Sequence, residues 1–109
     1  MNQHKVIFAV DYAAAVKPFK LTIAPSIEDK ILIKHRVSPE EVRETLDDPG
    51  LRRFRVKRNR KTKEVTYLYV GLTYTDRLLR SIIIHKPDGS AYLKTSLDAY
   101  KQDRRIYYE

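Results

Sequence analysis

The chain of 109 residues is long enough for one domain with a modest apolar core. It has no cysteine, which excludes disulfides and thiolate metal sites, and its three histidines are too widely separated to indicate a structural zinc site. The net charge of +8 comes from residues 51–109, where 15 Lys and Arg stand against 6 Asp and Glu; this favours nucleic acid or an acidic protein as the partner.

Residues 1–18 are interpreted as an N-terminal extension before a single α+β domain of residues 19–109. Residues 6–10 are apolar, and their pattern fits a strand or the start of a longer helix equally well. Residues 5–15 also have features of a secretory signal peptide, although Asp11 interrupts the apolar stretch. Because this signal-peptide pattern is weak, we expect a cytoplasmic protein. No apolar run approaches the roughly 20 residues of a membrane-spanning helix, so we expect no membrane partner.

A short strand and a helix open the predicted domain. Phe19–Ile23 alternates apolar and polar residues, which indicates a half-buried strand that ends at Pro25. Ser26 is expected to cap a helix running to about His35, because acidic residues follow it in the first turn.

The second helix has the clearest start in the sequence. The Ser38 hydroxyl can accept a hydrogen bond from the first turn, and Pro39 suits the first helical position, where an N–H would go unpaired. Glu41 lies three residues after Ser38 and completes a capping box. The pattern predicts a helix from Pro39 to about Asp48.

The hydrophobic period then changes to two, which is typical of strands. The predicted strands are Leu51–Arg58, Val65–Thr73, Leu78–His85 and Ala91–Thr95. The short connections between them predict antiparallel neighbours. Thr95 or Ser96 is expected to cap a closing helix from Leu97 to about Tyr108. These elements predict an α+β fold, in which two N-terminal helices and a C-terminal helix pack on one face of an antiparallel sheet of about four to five strands.

Three stretches in chain order carry a resemblance to a known family. Lys34–Glu41 matches Lys-His-x-Val-Ser-x-Glu-Glu, and Gly71–Leu79 matches Gly-x-Thr-x-x-Gly-Arg-x-Leu, with Asp76 in place of the second glycine. Thr95–Tyr107 follows a closing Thr-Ala-Arg-Asp and Glu-Arg-Arg-x-Tyr pattern, with Ser96, Leu97 and Asp103 in place of the alanine, the first arginine and the glutamate. Residues 19–108 thereby resemble the BrnT-like toxins of bacterial type II toxin–antitoxin systems, which belong to the RelE/ParE-like fold group.

The resemblance implies a toxin that inhibits translation by cleaving RNA and is held in check by a cognate antitoxin protein encoded nearby. In this reaction the 2′-hydroxyl attacks the neighbouring phosphate. The reaction needs a base, an acid for the leaving 5′-oxygen, and cations where negative charge builds. The resemblance implies a metal-independent reaction without a cofactor, and the sequence, which contains no recognisable set of metal ligands, is consistent with that.

The candidate catalytic residues are Lys34, His35, Arg77 and Tyr107. His35 suits an acid or base because its unperturbed pKa lies near neutrality, and the alternative is a histidine packed at the edge of the core. Arg77 suits bidentate phosphate binding, and the alternative is a turn residue that faces solvent. Lys34 could contribute a positive charge to a phosphate site, and the alternative is a solvated charge at the helix end. Tyr107 could stack a base or donate a proton, or it packs the last helix on the sheet.

The run Arg52–Lys63 contains eight Lys and Arg and no acid. On the predicted hairpin Arg53, Arg55 and Lys57 share a face, with the apolar residues between them turned inward. The expected nucleic-acid-binding residues are Arg53, Arg55, Lys57, Arg58, Arg60 and Lys61. Such a strip suits an RNA backbone, and the alternative is an ordinary solvated face.

A second function is compatible with the sequence, namely a catalytically weakened nucleic-acid- or protein-binding module of the same fold. Leu97 and Thr66 stand where family members usually carry arginine, so two cations of the implied phosphate site are missing. The strand tyrosines Tyr67, Tyr69 and Tyr92 fit either a stacking platform for single-stranded nucleic acid or ordinary core and cross-strand pairs.

Overall fold

The computed structural model describes residues 19–109, and the predictions for residues 1–18 lie outside this range. It confirms the α+β class. In chain order the elements are β1 (Leu21–Thr22), α1 (Pro25–His35), α2 (Pro39–Leu46), β2 (Arg52–Arg58), β3 (Val65–Leu72), β4 (Leu78–His85), β5 (Ala91–Asp98) and α3 (Lys101–Tyr108).

The five described strands form one sheet in the order β1-β5-β4-β3-β2. Strands β2 to β5 pair with their sequence neighbours in antiparallel fashion, as predicted from the short turns. The short strand β1 instead pairs in parallel with β5, through Leu21 opposite Ala91 and Thr22 opposite Tyr92. The sheet is therefore mixed, and the prediction of a wholly antiparallel sheet was wrong at this edge.

Local capping signals determine the start of α2. The Glu41 amide donates to Ser38 Oγ at 3.1 Å, and the Ser38 amide donates to Glu41 Oε1 at 3.0 Å, which confirms the capping box. Helix α1 begins one residue earlier than its predicted cap, since Ala24 is the N-cap and Pro25 occupies the first turn. Arg36 ends α1 in the left-handed conformation, at φ 55°.

The core lies between helices α1 and α2 and one face of the sheet. Apolar side chains from β1, α1, α2 and strands β3 to β5 fill it; among them are Leu21, Ile31, Val42, Tyr69, Leu79, Ile83 and Leu93. Gly71 on β3 allows α2 to approach the sheet, since a Cβ atom there would lie 2.9 Å from the carbonyl oxygen of Thr45. This close approach sets the position of α2 over the sheet.

The last strand is longer and the last helix shorter than the sequence predicts. Strand β5 continues to Asp98, because Thr95 and Ser96 pair with Ile82 and Ser81 of β4 instead of capping a helix. The Ser81 and Ser96 hydroxyl oxygens lie 2.8 Å apart in the buried sheet. These long-range pairings outweigh the local capping preference of Ser and Thr, so the predicted helix start at Leu97 was wrong.

Helix α3 lies on the sheet face opposite to α1 and α2. Side chains alternate along a strand, so Leu79 faces the core of α1 and α2 while Arg80 faces the other side. There Arg80 Nε donates to Asp103 Oδ2 of α3 at 2.7 Å, and Asp103 is 2% exposed. The prediction that all three helices share one face was therefore wrong.

Candidate nucleic-acid interface

Arg77 lies where α1, α2 and the sheet meet. Its Nε donates to Asp98 Oδ1 at 2.8 Å, and its Nη1 donates to the Glu41 carboxylate at 3.1 Å. Nη1 also donates to the carbonyl oxygen of Arg36 at 2.7 Å, and Nη2 to that of His35 at 3.1 Å. The last two bonds satisfy carbonyl groups that the end of α1 leaves without a helical partner.

The partners of Arg77 occupy most of its guanidinium. Nε bonds one acceptor group, Nη1 bonds two (the Arg36 carbonyl and the Glu41 carboxylate) and Nη2 bonds one, which uses four of the five N–H groups. The side chain is 25% exposed. Its hydrogen bond to Asp98 also lowers the pKa of that carboxyl, although burial acts in the opposite direction. This geometry makes Arg77 a clamp between α1 and the sheet, and bidentate phosphate binding would require breaking the clamp.

Lys34 and His35 form the last turn of α1, beside this clamp. Lys34 is exposed and His35 is half-buried. The charge of Arg104 contributes, after the larger effect of Arg77, to the lowered pKa of Asp98. Arg77 therefore bonds both the backbone carbonyl of His35 and Asp98, a carboxylate that the sequence patterns did not single out as a site residue. Lys34 adjoins His35 in the same helical turn.

Tyr107 is occupied by a different set of contacts. Its hydroxyl donates to Asp48 Oδ2 at 2.5 Å, and Asp48 also accepts hydrogen bonds from the amides of Gly50 and Leu72, both at 2.8 Å. Burial and the bond to Asp48 raise the pKa of Tyr107 far above its usual value. These contacts favour the packing alternative for Tyr107, because the side chain fastens α3 to the loop between α2 and β2.

A β-bulge changes which basic residues of β2 share a face. Arg53 and Arg55 pair with Tyr69 and Tyr67, but the register shifts after Arg55, so that Lys57 pairs with Thr66. The extra residue, Val56, is 56% exposed and is not turned inward as predicted. The bulge places Lys57 on the other face, and the prediction that it joins Arg53 and Arg55 was wrong.

The same register shift brings Arg58 onto the face of Arg53 and Arg55, since Arg58 pairs with Val65, two residues before Tyr67. The strip continues into the exposed hairpin tip at Arg60 and Lys61. There the side-chain oxygen of Asn59 accepts hydrogen bonds from the amides of Lys61 and Thr62, at 2.9 and 3.0 Å. This surface, the basic face, consists of Arg53, Arg55, Arg58, Arg60 and Lys61.

An aromatic cluster borders the basic face. Tyr69 Oη lies 2.7 Å from Nε2 of His85, and the Tyr67 ring packs edge-on against the imidazole at 5.1 Å between centroids. The Phe19 ring contacts the same imidazole at 4.7 Å, and the Arg53 guanidinium lies 3.8 Å from the centroid of Tyr67. Burial lowers the pKa of His85, and the charge of Arg53 adds to this effect, so the imidazole is neutral at physiological pH.

Sequence reasoning missed His85, because a histidine far from the other two in the sequence gives no sign of a site. The turn after Thr73 fixes the register of β3 and β4, which pairs Val65 with His85. Strand alternation then places His85 on the same face as Tyr67 and Tyr69. The predicted turn between β3 and β4 could have revealed this cluster, because counting residue pairs outward from it places Val65 opposite His85.

Among residues 19–109, no group of three or more His, Asp and Glu side chains is arranged to hold a metal ion. Within the same range, no helix is long and apolar enough to cross a membrane. No protein-family model matches the chain, and no curated protein sequence matches it either.

Proposed function

We propose that this chain binds RNA through the basic face of its β2–β3 hairpin. The observation that carries the proposal is the register shift at Val56, which puts Arg55 and Arg58 on one face beside Tyr67. Both arginines are exposed, and the hairpin tip adds Arg60 and Lys61. Phosphate groups are the natural ligands of such a strip, because neutralising them releases the counterions that surround a nucleic acid.

The test is the affinity for an unstructured, fluorescent RNA of about 12 nucleotides, measured by anisotropy between about 50 and 200 mM salt. Its riboses carry 2′-O-methyl groups, which prevent attack by the 2′-oxygen, so that binding is measured apart from cleavage. Arg55→Glu and Arg58→Glu should weaken binding and flatten the plot of log K against log salt by about 0.7 for each phosphate group that the variant no longer neutralises.

Lys57→Glu is the matched control, since it makes the same charge reversal two residues from Arg55 but on the opposite face. We expect it to reduce affinity less than either arginine substitution. Equal reductions from all three variants would mean that binding follows net charge alone, and a wild-type protein without salt-dependent binding would contradict the proposal.

We propose, as the second candidate function, the cytoplasmic ribonuclease toxin of a type II toxin–antitoxin pair with a RelE/ParE-like fold. The observation that favours it is the joint where Arg77 bonds both Asp98 and the backbone carbonyl of His35, which lies in the same helical turn as Lys34. The charge of Arg104 also contributes to the lowered pKa of Asp98. In this arrangement His35 serves as acid or base, and Lys34 and Arg104 supply cations for the phosphate. The partners are RNA and an antitoxin protein.

Induction of the chain alone in bacteria tests the toxin proposal. We expect growth arrest with new RNA 5′ ends, and relief by His35→Gln at equal protein level. Lys30→Gln, on the same helix, is the control that should leave the arrest intact. Normal growth and intact RNA in cells that contain soluble wild-type protein would contradict the toxin proposal and leave RNA binding as the function.

A further inference from the structure

We infer that the sheet face that carries α3 docks an acidic amphipathic helix of a partner protein, laid alongside α3. Helix α3 has only eight residues, and no helix of residues 19–109 covers the rest of this face. The uncovered part contains a row of register partners across four strands, the open row: Phe54, Leu68, Ile82 and Thr95. This surface is separate from the basic face, so docking there does not depend on RNA binding.

Helix α3 crosses the strands at one end of the sheet. Arg80 of β4 bonds Asp103 of α3, and Arg52 of β2 donates to the carbonyl oxygen of Glu109 at 3.1 Å, just after the helix. Both arginines are register partners of Val70, so α3 lies over this single row. Val70 is 1% exposed beneath the helix, whereas all four residues of the open row are half-buried. The difference in burial marks the limit of what α3 covers.

The space beside α3 has the dimensions of one helix. The open row lies two residues along each strand from the row of Val70, a distance of about 7 Å. The next row, which contains Thr66, Ile84 and Tyr92, lies about 7 Å further on. Because packed helices lie about 8–10 Å apart, a helix parallel to α3 would rest between these two rows. Four strands span about 15 Å, which about 10 helical residues cover.

The centre of this space is aliphatic, which favours a protein over a nucleic acid as the occupant. Leu68, Ile82 and Ile84 offer no aromatic ring on which a base could stack, but the apolar stripe of an amphipathic helix can cover them. Strand β4 is also apolar on both faces at Ile82, Ile83 and Ile84, a pattern typical of strands that are covered on both sides. Burial of these side chains supplies the main driving force for docking.

Cations surround this space. Lys57, the register partner of Thr66, is exposed at the β2 edge, and Lys94, the extra residue of a bulge, is exposed at the β5 edge. The charged residues that α3 exposes are all basic, namely Lys101, Arg104 and Arg105. Burial raises the pKa of Tyr92 and the nearby charge of Glu64 adds to this effect, but the cations outnumber this acid. A helix with carboxylates on both sides of its apolar stripe complements such a rim.

The experiment measures, by fluorescence anisotropy, the affinity of the full chain for two labelled synthetic helical peptides of about 14 residues. Both peptides carry the same leucine stripe, which is flanked by glutamate in one and by lysine in the other. We expect tighter binding of the acidic peptide, with an affinity that falls as salt is added. Ile82→Gln should weaken this binding by about tenfold, because it replaces apolar surface at the centre of the space.

Ile33→Gln is the matched control, since Ile33 is 78% exposed on α1, on the other side of the sheet. It should leave peptide affinity unchanged, and thermal denaturation verifies that both variants are folded. Two exposed positions provide a second comparison without risk to folding. Lys57→Glu should weaken binding of the acidic peptide severalfold, and Arg55→Glu, on the opposite face, should weaken it less. This order is the reverse of the one expected for RNA.

Absence of binding to the acidic peptide, equal affinities for the two peptides, or equal effects of Ile82→Gln and Ile33→Gln would overturn the inference. Other occupants are recognised by their own results. A dimer in light scattering that Ile82→Gln dissociates would make a second copy the occupant, and loss of RNA affinity in folded Ile82→Gln would make RNA the occupant; either result also overturns the inference. Peptide binding without RNA binding would instead support the inference and contradict only the proposed function.

Discussion

The hydroxyl of Tyr107 donates a hydrogen bond to Asp48, 59 residues earlier in the chain, at 2.5 Å. Asp48 lies in the loop after α2, and Tyr107 lies in the last turn of α3, on the other side of the sheet. The same carboxylate accepts hydrogen bonds from the amides of Gly50 and Leu72, so one side chain holds a helix, a loop and a strand together. The two helix layers are thus joined at one end of the sheet.

Tyr107→Phe should lower the free energy of unfolding by about 1–2 kcal/mol, because it removes a hydrogen bond to a charged acceptor while keeping the ring. Tyr108→Phe is the control, since Tyr108 is adjacent and 63% exposed, and it should change stability little. Urea denaturation of the three proteins provides the measurement. Equal stability of Tyr107→Phe and Tyr108→Phe would contradict the fastening role.

Arg77→Lys should destabilise the fold by about 2 kcal/mol or more, because a single ammonium group cannot reach Asp98, Glu41 and the two helix-end carbonyls together. Some of these acceptors are then left without their partners. Lys34→Ala, at an exposed position of the same joint, serves as the comparison in urea denaturation. If Arg77→Lys kept full stability and lost only the proposed toxicity, Arg77 would act on the substrate and not as a clamp.

The lowered pKa of His85 predicts a loss of stability in mild acid. The unfolded chain takes up a proton as the pH falls below the ordinary value of 6.5, while the folded protein resists protonation until a lower pH. The stabilising contribution is therefore complete above about pH 6.5 and declines as the pH falls through the folded pKa.

Denaturation midpoints measured between about pH 7.5 and 5 provide the test for wild type and His85→Gln. The wild type should lose more stability over this range than the variant. Asp98 and Glu41 also have lowered pKa values. Their contributions to stability are lost at lower pH than that of His85 and are the same in both proteins. Parallel curves would mean that the environment of His85 does not favour its neutral form.

Gly71→Ala should destabilise the protein by about 1–3 kcal/mol. In a strand, alanine would ordinarily be favoured over glycine, because glycine loses more backbone entropy on folding. Here the added Cβ atom would lie 2.9 Å from the backbone oxygen of Thr45 and 2.9 Å from Leu51 Cδ1, so α2 must move. Thermal denaturation shows whether Gly71→Ala lowers or raises stability. A higher melting temperature would mean that α2 accommodates the added Cβ atom without cost.

Local signals were reliable where a few adjacent residues supply all the interactions of an element. Ser38 and Glu41 cap α2 through their own side chains, and β4 has the predicted bounds because turns lie at both of its ends. The position of Lys34 and His35 at the end of α1 followed from the same short-range rules.

The candidate sites were less predictable, because their geometry depends on residues far apart in sequence. The bulge at Val56 moves Lys57 off the face of Arg55, and no local pattern in β2 marks it. Arg77 has its partners 21 to 42 residues away, so its role as a clamp is invisible in its own turn. His85 gained significance only beside Tyr67 and Tyr69 on the neighbouring strand.

Composition, periodicity and turn chemistry thus determined the α+β class, the order of the main elements and the concentration of positive charge on one hairpin, because each depends on short-range interactions. Only the packed chain decided where β5 ends, which face α3 covers, and which arginines share a surface. These outcomes depend on ladder pairing with β4, on the buried bond between Arg80 and Asp103, and on the register of β2 with β3. Such contacts join distant residues, and their free energies exceed the local preferences that they override.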